Sequence, residues 1–342
     1  MKAVMICDHS LDPRLRKRVQ WLKDMGYDVS IYTDSSRGKH FSSSECPETP
    51  LSDLKLKTLI SAKLVYISGA KVILSKFNLI RKISQKKTKL IYEIPDLPLR
   101  KHSSIQNYLI MHIFSFIVNI LFKNIVVTSN AFIEYLPKNK NYTLCENLPP
   151  ESLITKKTKK SITLKNKQCL TIGFVGALRY PQQMLMLIRF CVENKHNAVF
   201  YGGPEENKIN LISMCNDADL DISSYITFHG SYNQNNLESI YKEIDFVYSV
   251  YDAKQPNVKL ALPNKLYESQ LFLTPIIVAS NTYLSDCVRK LNVGFSVNSI
   301  DYEIFAKNMK VGLQSDFEID SSDVIENILS AKENFTYWIK EI

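Results

Sequence analysis

The seven cysteines, at positions 7, 46, 145, 169, 191, 215 and 287, contain no C-x-x-C pair and are odd in number. A disulfide framework is therefore not expected, and a reducing cytoplasm is the expected compartment. Cys7, Cys169 and Cys191 sit in apolar runs, where a free cysteine behaves as a small hydrophobe. The six histidines, at 9, 40, 102, 112, 196 and 229, lack metal-ligand spacing. No G-x-G-x-x-G follows the first apolar run, so a dinucleotide site there has no support. No Ser-His-Asp or Cys-His set emerges from the residue order. Met1–Ile6 leads at once into Cys7-Asp8-His9, which is not the pattern of a secretion signal.

A long hydrophobic run is also missing. Charges are absent between Lys101 and Lys123, but the apolar heart, Tyr108 to Phe122, includes His112, Ser115 and Asn119. A span needs about 20 mainly apolar residues. The segment reads as a buried helix of an α/β sheet, with an in-plane membrane contact as the alternative.

What is present is ordinary globular composition, 45% hydrophobic and 23% charged, over 342 residues, which suggests two domains. The charge is uneven. Residues 1–167 hold 29 Lys+Arg against 13 Asp+Glu, and residues 168–342 hold 14 against 21, within a net charge of +9. The first half either faces an anionic partner or carries a solvated Lys-rich surface. Nucleic acid lacks support, since no aromatic-basic interleaving or known motif accompanies the charge.

Lys2–Cys7 reads as a buried strand. Asp12-Pro13 then offers an N-cap and first-turn proline, and Leu15, Val19, Leu22 and Met25 form one helical face that Gly26 closes. Arg14, Arg16, Lys17 and Arg18 read as the polar face of this helix. Asp28–Tyr32 completes a βαβ unit of a parallel sheet. Strands are expected at 64–67, 89–94, 125–128 and 142–145, helices at 70–86, 104–123 and 129–136, and no regular structure over 34–62. The lysines from Lys156 to Lys167 read as an exposed linker or hairpin. A second α/β series follows, with strands at 170–175, 198–201, 225–229, 246–250 and 275–278. Asn235 and Glu238 stand at capping-box spacing. The expected architecture is α/β, two Rossmann-like doubly wound lobes facing a cleft, divided as 1–165 and 166–342. Ligands of such sheets lie at the carboxyl ends of the strands.

The densest chemistry is Pro263-Asn264-Lys265-Leu266-Tyr267-Glu268. A helix starting at Pro263-Asn264 directs free N–H groups and its positive dipole end at an anion, and Lys265 adds a full charge. Glu268, at i+3 from Lys265, can accept two hydrogen bonds from a vicinal diol such as a ribose. The plain alternative is a surface helix with an ion pair. Asp217, Asp219 and Asp221 read as a solvated loop, since the Gly and Glu of a calcium loop are missing.

With Thr274-Pro275-Ile276-Ile277-Val278 behind it, this segment resembles the donor-binding region of family 4 retaining glycosyltransferases with the GT-B fold, of the bacterial surface polysaccharide type. Asp12-Pro13-Arg14, the run Ile91–Leu97, Val126–Ser129, Glu146–Pro149, Gly173–Tyr180 and Ile226–Gly230 are similar to that family in the same order. The resemblance implies hexosyl transfer from a nucleoside-diphosphate-sugar to a glycan or lipid-diphosphate-linked acceptor, with retention and without a metal or other cofactor. It implies that Arg179 and Lys265 neutralise the diphosphate and that Gly176 lets the backbone approach it. Asn264 lies beside them, Glu268 binds the ribose, and Tyr232 lies near the base. Asp12 and Arg14 would line the acceptor side, and the last helix would pack back on the first lobe.

Two departures stand out. The first Glu of the family's Glu-x7-Glu motif falls on Leu260, with Asn257 as a substitute, and the family's first-lobe His is missing where Asp96 stands. Asp96 is thus the candidate acid or acceptor base beside Glu268. An anionic membrane surface is a further expected partner. A nucleotide-sugar epimerase on the same fold and a non-catalytic partner in a polysaccharide assembly complex are the rival readings.

Overall fold

The computed structural model describes residues 1–34, 42–43, 46–99, 104–154 and 156–342. His40 and His102 lie outside them. The chain forms two compact units, Met1–Asn147 with Ser330–Ile342, and Leu148–Leu329.

The first unit is built on β1 (Lys2–Cys7), β2 (Asp28–Thr33), β3 (Ser42–Ser43), β4 (Cys46–Pro50), β5 (Leu64–Ser68), β6 (Lys89–Ile94), β7 (Asn124–Val127) and β8 (Asn141–Leu144). Their order is β3-β4-β2-β1-β5-β6-β7-β8. All neighbours are parallel except the short β3, which is antiparallel to β4. The first βαβ unit forms as expected. Asp12 caps helix Pro13–Asp24 by accepting from the Leu15 N–H at 2.8 Å, and Gly26 takes φ +84°. Leu15, Val19 and Leu22 are fully buried.

The elements of the first unit depart from the sequence reading in several places. The described residues within 34–62 include β3, β4 and helix Leu56–Ser61, where no regular structure was expected. The expected helix 70–86 is two helices, Ala70–Ser75 and Phe77–Ser84. Helix Ser104–Leu121 is not a buried one. Met111, Phe114, Val118 and Leu121 face the sheet, while Ile105, Leu109, Ile113, Phe116 and Ile120 are more than half exposed. Among the described residues no helix is long and apolar enough to cross a membrane.

The chain's last helix, Ser322–Glu341, gives its C-terminal part to the first unit. Phe335, buried, packs its ring 5.3 Å from Trp21 and 6.2 Å from Tyr66. Trp338 Nε1 donates to Asn141 Oδ1 at 3.2 Å, and Lys89 Nζ donates to the Ile339 carbonyl at 2.9 Å. These apolar side chains would otherwise lie open on an exposed helix, and the side chains over β1 and β5 would lose their cover.

The second unit holds β9 (Lys159–Thr163), β10 (Thr171–Val175), β11 (Asn197–Tyr201), β12 (Ile226–Gly230), β13 (Phe246–Ser249), β14 (Ile276–Ala279), β15 (Gly294–Val297) and β16 (Asp316–Asp320). Six of these make a parallel sheet in the order β12-β11-β10-β13-β14-β15. The order reverses at β10, the switch point where such sheets take ligands. The compact units divide at 147/148, and the lysine-rich stretch lies within the second of them. It is β9, antiparallel to β16, and Lys159 meets Glu318 at 3.0 Å while Lys165 meets Asp316 at 2.6 Å. The Asn235/Glu238 capping box is replaced by Asn233, whose side chain accepts from the Asn235 N–H at 2.9 Å. Cys169 is exposed, whereas Cys7 and Cys191 are buried as expected of small apolar side chains.

Phe335→Ala tests the seat of the last helix. It removes a fully packed ring, so the first unit should lose about 3–5 kcal/mol of stability. Urea unfolding followed by Trp21 and Trp338 fluorescence reads this, and a loss below about 1 kcal/mol would contradict the packing.

Candidate functional site

At the switch point the ends of three strands are tied together through backbone. Gly176, just after β10, donates its N–H to the Tyr201 carbonyl at 2.8 Å. Gly202, after β11, donates to the Gly230 carbonyl at 2.6 Å, and Leu178 donates to the Gly203 carbonyl at 2.8 Å. A Cβ on Gly202 would stand 1.8 Å from the Gly176 carbonyl oxygen, so only glycine permits this approach. Gly176 itself has φ +146°, open to glycine and closed to most side chains. The turn then passes exposed Arg179 and reaches Tyr180, at φ 60° and ψ 60°, before Pro181 opens helix Pro181–Asn194. A left-handed tyrosine is costly and fixes the turn's exit.

The helix Asn264–Leu271 carries the second half of the site. No side chain caps its N-terminus. The alternative of a surface helix with an ion pair is excluded by burial: Lys265 is 4% exposed and Glu268 2%. Lys265 Nζ donates to Glu268 Oε2 at 2.6 Å, and Asn264 Nδ2 donates to Glu268 Oε1 at 2.6 Å. A fourth member, Tyr241, was not anticipated. Its buried hydroxyl donates to Glu268 Oε2 at 2.8 Å, from helix Leu237–Glu243. The carboxylate thus accepts three donors of its roughly four lone-pair positions, as a buried charge requires.

The two halves meet. A Cβ built on Gly176 would lie 3.8 Å from Lys265 Cε, so the ammonium's stem runs beside the turn after β10. Two further tyrosines, Tyr232 and Tyr251, join Tyr241 around the pair. Burial pushes the Tyr232 phenol up to about 12, and the Glu268 carboxylate adds to the shift. Burial, then the Glu268 charge and its hydrogen bond, raise Tyr241 well above its ordinary value. Tyr251 is raised by burial, feels both Lys265 and Glu268, and packs its ring 5.4 Å from Tyr180. Raised phenols remain protonated near neutrality and act as donors, not as bases. Asn257 is half-buried in helix Pro256–Leu260.

Of the expected residues, the structure brings together Gly176, Asn264, Lys265, Glu268 and Tyr232. Asp217 ends helix Glu205–Asp217, and Asp221 accepts from Ser223 in the turn beyond it. Among the described residues no group of three or more His, Cys, Asp or Glu is placed to hold a metal ion.

Asp12, Arg14 and Asp96 belong to the first unit. Asp96 is exposed, in the loop after β6. Arg14 and Arg18 are not the polar face of their helix: they are 6% and 1% exposed, pointed at fully buried Glu93 of β6. Arg14 Nη1 lies 3.4 Å and Arg18 Nη2 3.6 Å from Glu93 Oε1, and Arg14 Nη2 lies 3.3 Å from Asp12 Oδ2. Burial works against the Arg14 charge, but Glu93 and Asp12 together hold it above its ordinary range. Arg18 Nη2 also donates to the Cys145 carbonyl at 2.9 Å.

No protein-family model matches the chain, and no curated protein matches it in sequence. Solved structures do. The chain is similar over its whole length to Anabaena Alr3699/HepE, solved with UDP and glucose, at a TM-score of 0.70 and 11% identity, with 100% of both chains covered. It is similar to sucrose-phosphate synthase from Thermosynechococcus elongatus at 0.64 and 12%, covering 100% of this chain and 98% of that one. For AviGT4, a glycosyltransferase of avilamycin A biosynthesis, the values are 0.57 and 10%, covering 100% and 97%. The fold is α/β, that of the GT-B glycosyltransferases.

Glu268→Ala leaves a buried ammonium without its counter-charge. The second unit should therefore lose about 3–5 kcal/mol, far more than a surface pair would cost. Lys265→Met combined with Glu268→Gln removes both charges and should recover most of that loss. Denaturant titration of the three proteins decides it, and a Glu268→Ala loss below about 1 kcal/mol would contradict a buried pair.

Proposed function

We propose that the chain is a glycosyltransferase that moves a sugar from a nucleoside-diphosphate-sugar to a glycan or lipid-diphosphate-linked acceptor. The observation that carries this reading is the buried Lys265–Glu268 pair set against the glycine turn after β10. Such a turn accepts phosphate oxygens on backbone, and the uncapped start of helix Asn264–Leu271 adds N–H groups and a positive dipole end. HepE, of the same fold, has been solved with UDP and with UDP-glucose.

The chemistry follows from where charge develops. As the glycosidic bond to the leaving diphosphate breaks, negative charge grows on the phosphate oxygens. Lys265 and Arg179 neutralise it, so no metal is needed. A diphosphate that draws Lys265 Nζ away from Glu268 Oε2 frees that oxygen for a ribose hydroxyl. Donor binding thus exchanges one ion pair for another and does not leave a charge bare. Tyr232 lies beside the base, and Asn257 stands in for the acid absent at Leu260. The first unit, with Asp12 and Asp96, receives the acceptor, and Asp96 is its acid or base; Arg14, turned inward to Glu93, has no part in that contact. Transfer of a hexose with retention, as in the family 4 enzymes of bacterial surface polysaccharide synthesis, on the cytoplasmic side, is the finer form of this reading.

Incubation with UDP-glucose alone, in excess chelator, should release UDP and glucose slowly. Lys265→Met should cut that rate by about two orders of magnitude. Appearance of an epimerised sugar would favour the epimerase, and activity that disappears with chelator and returns with magnesium would overturn the charge assignment. Failure of UDP, and of other nucleoside diphosphates, to bind by calorimetry would remove the donor site altogether.

A further inference from the structure

Helix Ser104–Leu121 presents a second apolar face that none of the described residues covers. Ile105 is 74% exposed, Tyr108 62%, Leu109 54%, Ile113 61%, Phe116 65% and Ile120 55%. These positions follow one another at three, one, four, three and four residues, a single stripe of a helix. At about 1.5 Å per residue, Ile105 to Ile120 runs for about 22 Å. Gln106, His112 and Asn119 are the other exposed positions of the helix, and no charged side chain interrupts it. A continuous apolar strip of this length is uncommon on a soluble monomer and marks a contact surface.

The charge around the stripe identifies what it contacts. Residues 54–140 contain 15 Lys+Arg and three acidic residues, Glu93, Asp96 and Glu134, of which Glu93 is fully buried. Helix Phe77–Ser84 packs against helix Ser104–Leu121 and exposes Arg81 and Lys82, with Lys86 and Lys87 exposed just beyond it. At the other end, Lys140 donates to the Asn119 carbonyl at 2.6 Å, and the charge of nearby Lys123 helps, after burial, to depress its pKa. An apolar strip flanked at both ends by basic side chains, in a stretch where lysine and arginine far outnumber carboxylates, matches a layer of acyl chains beneath anionic headgroups. A second copy of this chain is the poorer fit, because it would bring two strongly basic surfaces together. The helix is too short and polar to cross a bilayer, so it would lie in the plane of the surface.

We propose that helix Ser104–Leu121 is a membrane-docking element that inserts Leu109, Ile113 and Phe116 among the acyl chains of an anionic lipid surface, held by Arg81, Lys82, Lys123 and Lys140. The proposal is independent of the donor chemistry, since it concerns the first unit alone and is measured without nucleotide.

Flotation of the full chain with phosphatidylcholine vesicles, with and without phosphatidylglycerol, tests it. Binding should require the anionic lipid and fall as salt rises. Leu109→Ser combined with Ile113→Ser and Phe116→Ser should weaken binding at least tenfold, with melting temperature and nucleotide affinity unchanged. Phe116→Trp should shift its emission to the blue on the anionic vesicles. Absence of vesicle binding would overturn the proposal. So would equal binding by the triple variant, or a dimer that the triple substitution dissociates in a protein that ignores vesicles.

Discussion

The carboxylate of Glu268, almost without access to water, needs donors wherever the chain folds. It obtains them from three directions: Asn264 and Lys265 on its own helix and Tyr241 on a neighbouring one. That need fixes much of the second unit. It places the start of helix Asn264–Leu271 beside the turn after β10, and it draws helix Leu237–Glu243 against both. In the proposed function the ammonium that satisfies Glu268 also neutralises the diphosphate. An ion pair that water does not screen would hold such a site ready to exchange one anionic partner for another. The helix dipole and the glycine turn act at the same point because the strand order reverses there.

The first unit uses buried charge differently. Arg14 and Arg18 converge on Glu93, whose two oxygens have no hydrogen bond of good geometry. The contacts are longer than direct hydrogen bonds, so attraction between charges, not bond geometry, holds helix Pro13–Asp24 to β6. With two guanidinium groups on one carboxylate inside and a surface rich in lysine outside, this half of the chain is electropositive through and through.

The alternation of strand and helix was legible because each is set by local signals: Asp12-Pro13 and Gly26 bound the first helix, and buried strands read as short apolar runs. The Pro263–Glu268 segment was legible for the same reason, since its residues act within one turn of helix. What escaped the sequence depends on distant partners. Tyr241 reaches Glu268 across 27 residues. Arg14 and Arg18 looked like a polar face because the carboxylate that buries them comes from β6. The lysines of β9 looked like a linker because their acidic partners on β16 come more than 150 residues later. Helix Ser104–Leu121 carries no charge and has apolar residues on both faces, so its pattern gave no hint of which face the sheet would take.

A crystal structure with bound UDP tests the account at its centre. It should place the diphosphate between the turn at Gly176–Arg179 and Lys265 Nζ, with the ammonium moved off Glu268, and a ribose hydroxyl within about 3 Å of the Glu268 carboxylate. A nucleotide bound elsewhere, or one bound here with Lys265 and Glu268 still paired and out of reach of it, would contradict the assignment.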